Sequence, residues 1–157
     1  MDEQARAPQS VLIIDDDRTL LETLVNAIQD LTQMRVLSAE SALVGLEIIM
    51  REQPSCVVVD ITLAPKGSNE MDGFQVVQLI RGDPATAATP IVFLTSRAED
   101  ISRFAGLAVG GDNYLVKPVP MKILIGAIER AIATSASERI LRLQRLAEGE
   151  PPRSTRD

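Results

Sequence analysis

The sequence contains no histidine and no tryptophan, and only one cysteine and one tyrosine among its 157 residues. Without histidine there is no imidazole to serve as general base or metal ligand, and any phosphohistidine chemistry must come from a partner protein. Aromatic residues make up 3% of the chain, too few for a base-stacking surface. A formal net charge of -6 argues further against direct binding of nucleic acid, while suiting a pocket that attracts a cation. Cys56 has no partner for an internal disulfide and reads as a small core residue in a reducing compartment, so a cytoplasmic location is expected. No apolar run approaches the length of a membrane span, and no membrane association is expected. Met1 to Gln9 is polar and lacks the apolar stretch of a secretory signal.

The apolar residues that are present, 45% of the chain, fall into short continuous runs separated by helical patterns. Val11-Leu12-Ile13-Ile14 reads as a first buried strand, ending in Asp15-Asp16-Asp17. Leu20, Leu21, Leu24, Val25, Ile28 and Leu31 follow at helical spacing, with Asp17 placed to cap that helix. Met34 to Ser38 predicts a second strand nearer an edge. Ser41 to Arg51 predicts a second helix with Leu43, Leu46, Ile49 and Met50 facing inward. Ser55-Cys56-Val57-Val58-Val59-Asp60 holds a third strand, buried on both faces, that delivers the carboxylate of Asp60 at its C-terminal end.

After Asp60 comes a connection rich in Pro, Gly, Ser and Asn, before Asp72-Gly73 opens a third helix. Pro90 to Thr95 is a fourth strand, 99–109 a weak fourth helix, Asn113 to Val116 a fifth strand and Met121 to Ala133 a fifth helix. Strands alternating with helices imply an α/β fold with a five-stranded parallel sheet and helices on both faces. The doubly wound, flavodoxin-like order 2-1-3-4-5 brings the ends of strands one and three together, so Asp15, Asp16 and Asp60 share one crevice. Ile140, Leu143 and Leu146 continue a stripe begun by Ile125, Ile128 and Ile132. That extended C-terminal helix either forms a short coiled-coil seam in a homodimer or folds back on its own domain. Four segments follow: a flexible tail over 1–9, one domain over 10–134, a helical extension over 135–149, and a disordered tail or linker over 150–157.

Three carboxylates forced together repel unless one protonates or a cation sits among them. Mg²⁺ meets that need with oxygen ligands and keeps waters that phosphate oxygens can replace. A carboxylate there can then act as nucleophile toward a phosphoryl group, giving an aspartyl phosphate. Thr95 offers a hydroxyl to a phosphoryl oxygen, and Lys117 offers a mobile charge to Asp60 before reaction and to the phosphate after it. Singly, each of these residues has a plainer structural use; at the ends of strands of one sheet they form a specific set.

The motifs Ile13-Ile14-Asp15-Asp16-Asp17, Val58-Val59-Asp60, Asp72-Gly73, Phe93-Leu94-Thr95-Ser96 and Asn113-Tyr114-Leu115-Val116-Lys117-Pro118 resemble those of receiver domains of two-component response regulators. The resemblance covers about Val11 to Ala133. It implies that Asp60 is the phosphoacceptor, and that Asp15, Asp16, Asp60 and the backbone carbonyl of Thr62 hold Mg²⁺. It also implies that Thr95 and Lys117 bind the phosphoryl group, that Ser96 leaves it room, and that Tyr114 is a switch aromatic responding to Thr95. The face made by the predicted fourth helix, fifth strand and fifth helix would then carry the signal to a downstream protein or output domain. A histidine kinase or phosphotransfer protein is the implied donor, and no enzymatic turnover is expected beyond gain and loss of the protein's own phosphoryl group.

One departure is Lys66-Gly67-Ser68-Asn69-Glu70, which looks like an insertion before Met71-Asp72-Gly73. A phosphatase of the haloacid dehalogenase type also forms an aspartyl phosphate, but Asp15-Asp16-Asp17-Arg18 does not continue as that pattern does, and no cap domain fits in this length. An unphosphorylated adaptor is disfavoured by the intact acidic, Thr and Lys positions. The Gly110-to-Pro118 stretch, the long last helix and the ending Ser154 to Asp157 look somewhat like receivers joined to a cyclic-di-nucleotide cyclase or phosphodiesterase.

Overall fold

The computed structural model describes residues 8–63, 69–98, 111–134 and 136–149. Five strands, β1 (Ser10–Ile14), β2 (Arg35–Ala39), β3 (Cys56–Asp60), β4 (Ile91–Thr95) and β5 (Asn113–Val116), form one sheet in the order β2-β1-β3-β4-β5. Every pairing is parallel, and the register sets Ile14 opposite Val59, Asp60 opposite Leu94, and Thr95 opposite Val116. Pairing reaches back to Gln9, whose carbonyl accepts from the Arg35 N–H at 2.9 Å. The helices are α1 (Arg18–Leu31), α2 (Ala42–Glu52), α3 (Gly73–Gly82), α4 (Met121–Ala133) and α5 (Ala136–Ala147). The helix expected over 99–109 lies outside the described residues.

Successive strand side chains point to opposite faces, and here the alternation separates two cores. Leu12, Ile14, Val57, Val59, Ile91 and Phe93 meet α2 and α3 through Ile49, Val76, Val77 and Ile80. Val11, Ile13, Cys56, Val58, Val92 and Leu94 meet α1 and α4 through Leu24, Ile28, Leu124 and Ile128. The central strands are therefore sealed on both sides, and polar atoms can emerge only where a strand ends. Burial in this core pushes the Cys56 thiol up to about 12, with the Asp112 charge adding to the effect, as befits an inert packing residue.

Helix caps agree with the sequence. The Asp17 carboxylate accepts from the Leu20 N–H at 3.1 Å. Asp72 and Gln75 form a reciprocal capping box at the start of α3.

The inward face of α2 is a correction. Ala42, Gly45 and Ile49 face the sheet, whereas Leu43 and Met50 are 65% and 52% exposed. Ile49 is inward as expected and Leu46 is half-buried against the same core, but at Gly45 α2 comes so close to β1 that a Cβ there would stand 2.5 Å from Ile14 Cδ1. Ala42 and Gly45 set that approach, and Leu43 and Met50 are left outside. Leu31 and Leu79 likewise stay in solvent.

The C-terminal stripe is helical but divided. Helix α4 ends at Ala133, and Thr134 takes an extended conformation, φ -68 and ψ 127, before α5 begins. Arg139 of α5 is buried within the same protomer, so this helix folds back on its own domain at that residue.

Candidate functional site

The predicted Asp, Thr and Lys residues lie at or just past the C-terminal ends of strands, where side chains leave the sealed core, whereas Tyr114 is the second residue of β5. Asp15 and Asp16 follow β1, Asp60 and Thr95 end β3 and β4, and Lys117 follows β5. The Lys117 ammonium donates to Asp15 Oδ2 at 2.8 Å and to Asp60 Oδ2 at 3.1 Å. Carboxylate oxygens of Asp15, Asp16 and Asp60 all lie within 4.8 Å of one another. The structure thus brings together four of the predicted residues from three strand ends.

The carboxylates are oriented by local backbone. The Asp17 N–H donates to Asp15 Oδ1 at 2.9 Å. Asp60 Oδ1 accepts from both the N–H and the hydroxyl of Thr62, at 3.0 and 3.1 Å. Asp15 and Asp60 are buried and their two oxygens are accounted for, while Asp16 stands at the solvent edge. Partial burial first, then the charges of Asp15 and Asp60, raise the Asp16 carboxyl above its ordinary range. Burial alone would draw the Lys117 ammonium down; its bonds to Asp15 and the charge of Asp60 outweigh that, and the net shift is upward. One ammonium against three carboxylates leaves a net negative pocket. That charge, with all-oxygen donors, is the chemistry a hard divalent cation fits.

Two predicted residues are near the crevice but engaged elsewhere. Thr95 is fully buried, and its hydroxyl donates to the Arg97 carbonyl at 3.2 Å while accepting from the Arg97 N–H at 3.1 Å. Its carbonyl accepts from the Lys117 N–H at 2.7 Å, tying strand ends together. Tyr114 stacks on Phe93 with ring centroids 5.2 Å apart, and its hydroxyl accepts from the Gly111 N–H at 3.3 Å. Burial raises the Tyr114 phenol above its usual range. The Lys117–Pro118 peptide is cis. Of the expected insertion, 66–68 lie outside the described residues, and Asn69 and Glu70 are exposed.

Thr62 and Gly73, named from the sequence for a carbonyl ligand and a helix start, each have a further role that was not expected. The Thr62 side chain and N–H clamp the acceptor carboxylate, and the signal for this was the Asp-x-Thr spacing of an Asx-type turn. Gly73 packs directly on the strand end: a Cβ there would run into the Asp60 carbonyl oxygen and stand 3.0 Å from both the Asp60 carbonyl carbon and Ile61 Cα. These obstacles are backbone, so no rotamer change relieves them. Gly73→Ala is expected to cost about 2–3 kcal/mol of stability, read as a lowered urea midpoint. An unchanged midpoint would show that the start of α3 shifts freely away from the site.

The chain is similar to known proteins in sequence and fold. The family model for the response regulator receiver domain matches residues 11–129. Transcriptional regulatory protein AfsQ1 of Streptomyces coelicolor is 36% identical over 135 residues, covering 83% of this chain and 54% of AfsQ1. Protein PilG of Pseudomonas aeruginosa is 30% identical over 127 residues, 81% of this chain and 90% of PilG. The crystal structure of a CheY-like response regulator receiver domain protein from Methanospirillum hungatei superposes with a TM-score of 0.69 at 25% identity, over 81% of this chain and 95% of that one. The chain spans 54% of AfsQ1 and 43% of YvrH, another curated relative. With the sheet order, the acidic crevice and the match to residues 11–129 in agreement, this chain belongs to the response regulator receiver domain family.

Proposed function

We propose that Asp60 accepts a phosphoryl group from a histidine kinase or phosphotransfer protein, and that the resulting charge switches a docking face. The observation that carries this reading is the Lys117 ammonium bridging Asp15 and Asp60 beside Asp16. In the transfer, an Asp60 oxygen forms the new bond to phosphorus as the bond to the donor's nitrogen breaks; hydrolysis later returns phosphate and the free carboxylate. Asp15, Asp16, Asp60 and the Thr62 backbone carbonyl would hold Mg²⁺. Bound there, Mg²⁺ supplies positive charge against the phosphoryl oxygens. Lys117 then turns from Asp60 to the phosphoryl group, and Thr95 gives up its Arg97 contacts to donate to it.

A phosphoryl group adds about -1.5 to -2 charges and three acceptor oxygens. Moving Thr95 withdraws support at the end of β4 and biases Tyr114 between two positions, which alters the face around β5 and α4. The domain boundaries at 10–134, 135–149 and 150–157 belong to the same reading, as do a cytoplasmic location and the absence of turnover on outside substrates. The chain's 54% share of AfsQ1 favours a receiver that works with a further output segment or a separate target protein.

The test is intact mass after incubation with acetyl phosphate and Mg²⁺. One phosphoryl adduct is expected, and it should be absent when EDTA replaces the metal. No adduct under either condition overturns the proposal.

A further inference from the structure

At the N-terminal rim of the sheet, opposite the acidic crevice, lies a second charged cluster. Arg139 of α5 is 3% exposed, and its guanidinium pairs with Asp112 at 3.0 Å. It also donates to the carbonyls of Ala131 at 2.6 Å and Ala88 at 3.2 Å. Ala131 lies in the last turn of α4, whose carbonyls otherwise lack helical partners, so Arg139 caps α4 and gains from the negative end of its dipole. Asp112 accepts in turn from the Ile91 N–H at 2.8 Å, and its own N–H donates to the Ile91 carbonyl at 2.7 Å. Arg81 stands 3.9 Å from the same carboxylate. One carboxylate thus joins α5 to the first residues of β4 and β5.

Around this joint α5 is poorly covered. Ile140 and Leu141, the two residues after Arg139, are exposed, and among the described side chains of this helix only Arg139 is buried, so its described hold on the domain rests on a polar pin. The pin also adjoins the aromatic pair. Tyr114 reaches back to the Gly111 N–H, next to Asp112, and a Cβ on Gly111 would stand 2.7 Å from Phe93 Cδ2. A displaced Tyr114 therefore removes the acceptor of the amide adjoining Asp112.

We propose that Arg139 pins α5 to the domain through Asp112, and that α5 is a strap loosened when phosphorylation displaces Tyr114. The second half rests on the function proposed above. By reciprocity, loosening the strap also alters the affinity of the domain for its phosphorylated conformation.

Amide hydrogen exchange on the full chain, with intact mass taken on the same samples, tests both halves. Arg139→Ala, and separately Arg139→Lys, should speed exchange over 136–147 about tenfold while Val11–Ile14 keep their protection. Lysine keeps the charge but cannot reach the carboxylate and both carbonyls together. Unchanged exchange over 136–147 in both variants overturns the pin. Wild-type protein carrying the adduct should show faster exchange over the same residues, and unchanged exchange there overturns the loosening. Absence of any adduct overturns the function reading and the loosening with it, while the Arg139 variants still decide the pin.

Discussion

Asp60→Asn should take up no phosphoryl group from acetyl phosphate and Mg²⁺, yet should unfold within about 1 kcal/mol of the wild type. The amide has the size of the carboxylate but lacks the nucleophilic oxygen pair, so transfer stops at its first step. Stability survives because the surroundings can adapt. The amide oxygen can accept from the Thr62 N–H and hydroxyl as Asp60 Oδ1 does, and Lys117 keeps Asp15 at 2.8 Å. One of the charges that raise the Asp16 carboxyl is also removed, which offsets part of the lost ion pair. Intact mass and a urea titration read the two halves. An adduct of equal mass on the variant would place the acceptor on another carboxylate.

Lys117→Met should be damaging in both respects. The Lys117 side chain is 19% exposed, and those of Asp15 and Asp60 are 1% and 5% exposed. Removing the cation leaves two buried carboxylates facing each other, and a broken pair of this kind costs about 3 kcal/mol. Uptake from acetyl phosphate should fall about a hundredfold, the usual effect of deleting a charged donor that stabilises a transferring group. Mg²⁺ at about 100 times its dissociation constant returns about 2.7 kcal/mol to any fold it binds, and the variant should gain more than the wild type because its uncompensated charge is greater. Thermal melts with Mg²⁺ and with EDTA measure this. Equal metal responses in the two proteins would mean that Lys117 and the cation do not compete for the same charge.

The fold was legible because its strands are unmixed apolar runs that stop at polar residues. Val57, Val58 and Val59 admit no exposed face, and Asp60 marks where the core ends. The same rule located Asp15 and Lys117, since a charged residue at the end of a buried strand has only the rim to occupy. Helix faces were harder. Ranking by hydrophobicity put Leu43 and Met50 of α2 inside, but the distance between α2 and β1 selects by size, and that distance is a tertiary property. Arg139 was not legible at all. On an amphipathic helix an arginine looks like part of the wet side, and its burial depends on Asp112 and on carbonyls from two other segments. Thr95 ends β4 as expected, but no pattern in the sequence shows that its hydroxyl is occupied by Arg97.

The bridging ammonium has a consequence for how the protein matures. Lys117 stands 57 positions from Asp60 and 102 from Asp15 along the chain. No hairpin or nearby turn can assemble such a centre, and closing loops of that length is slow compared with forming a helix. On a ribosome, the amine joins the acids only after four strands have been made and the fifth has docked against β4. Full chemical competence therefore waits for β5 to dock, and a nascent or partly folded copy without that contact is a poor competitor for phosphate meant for a finished one.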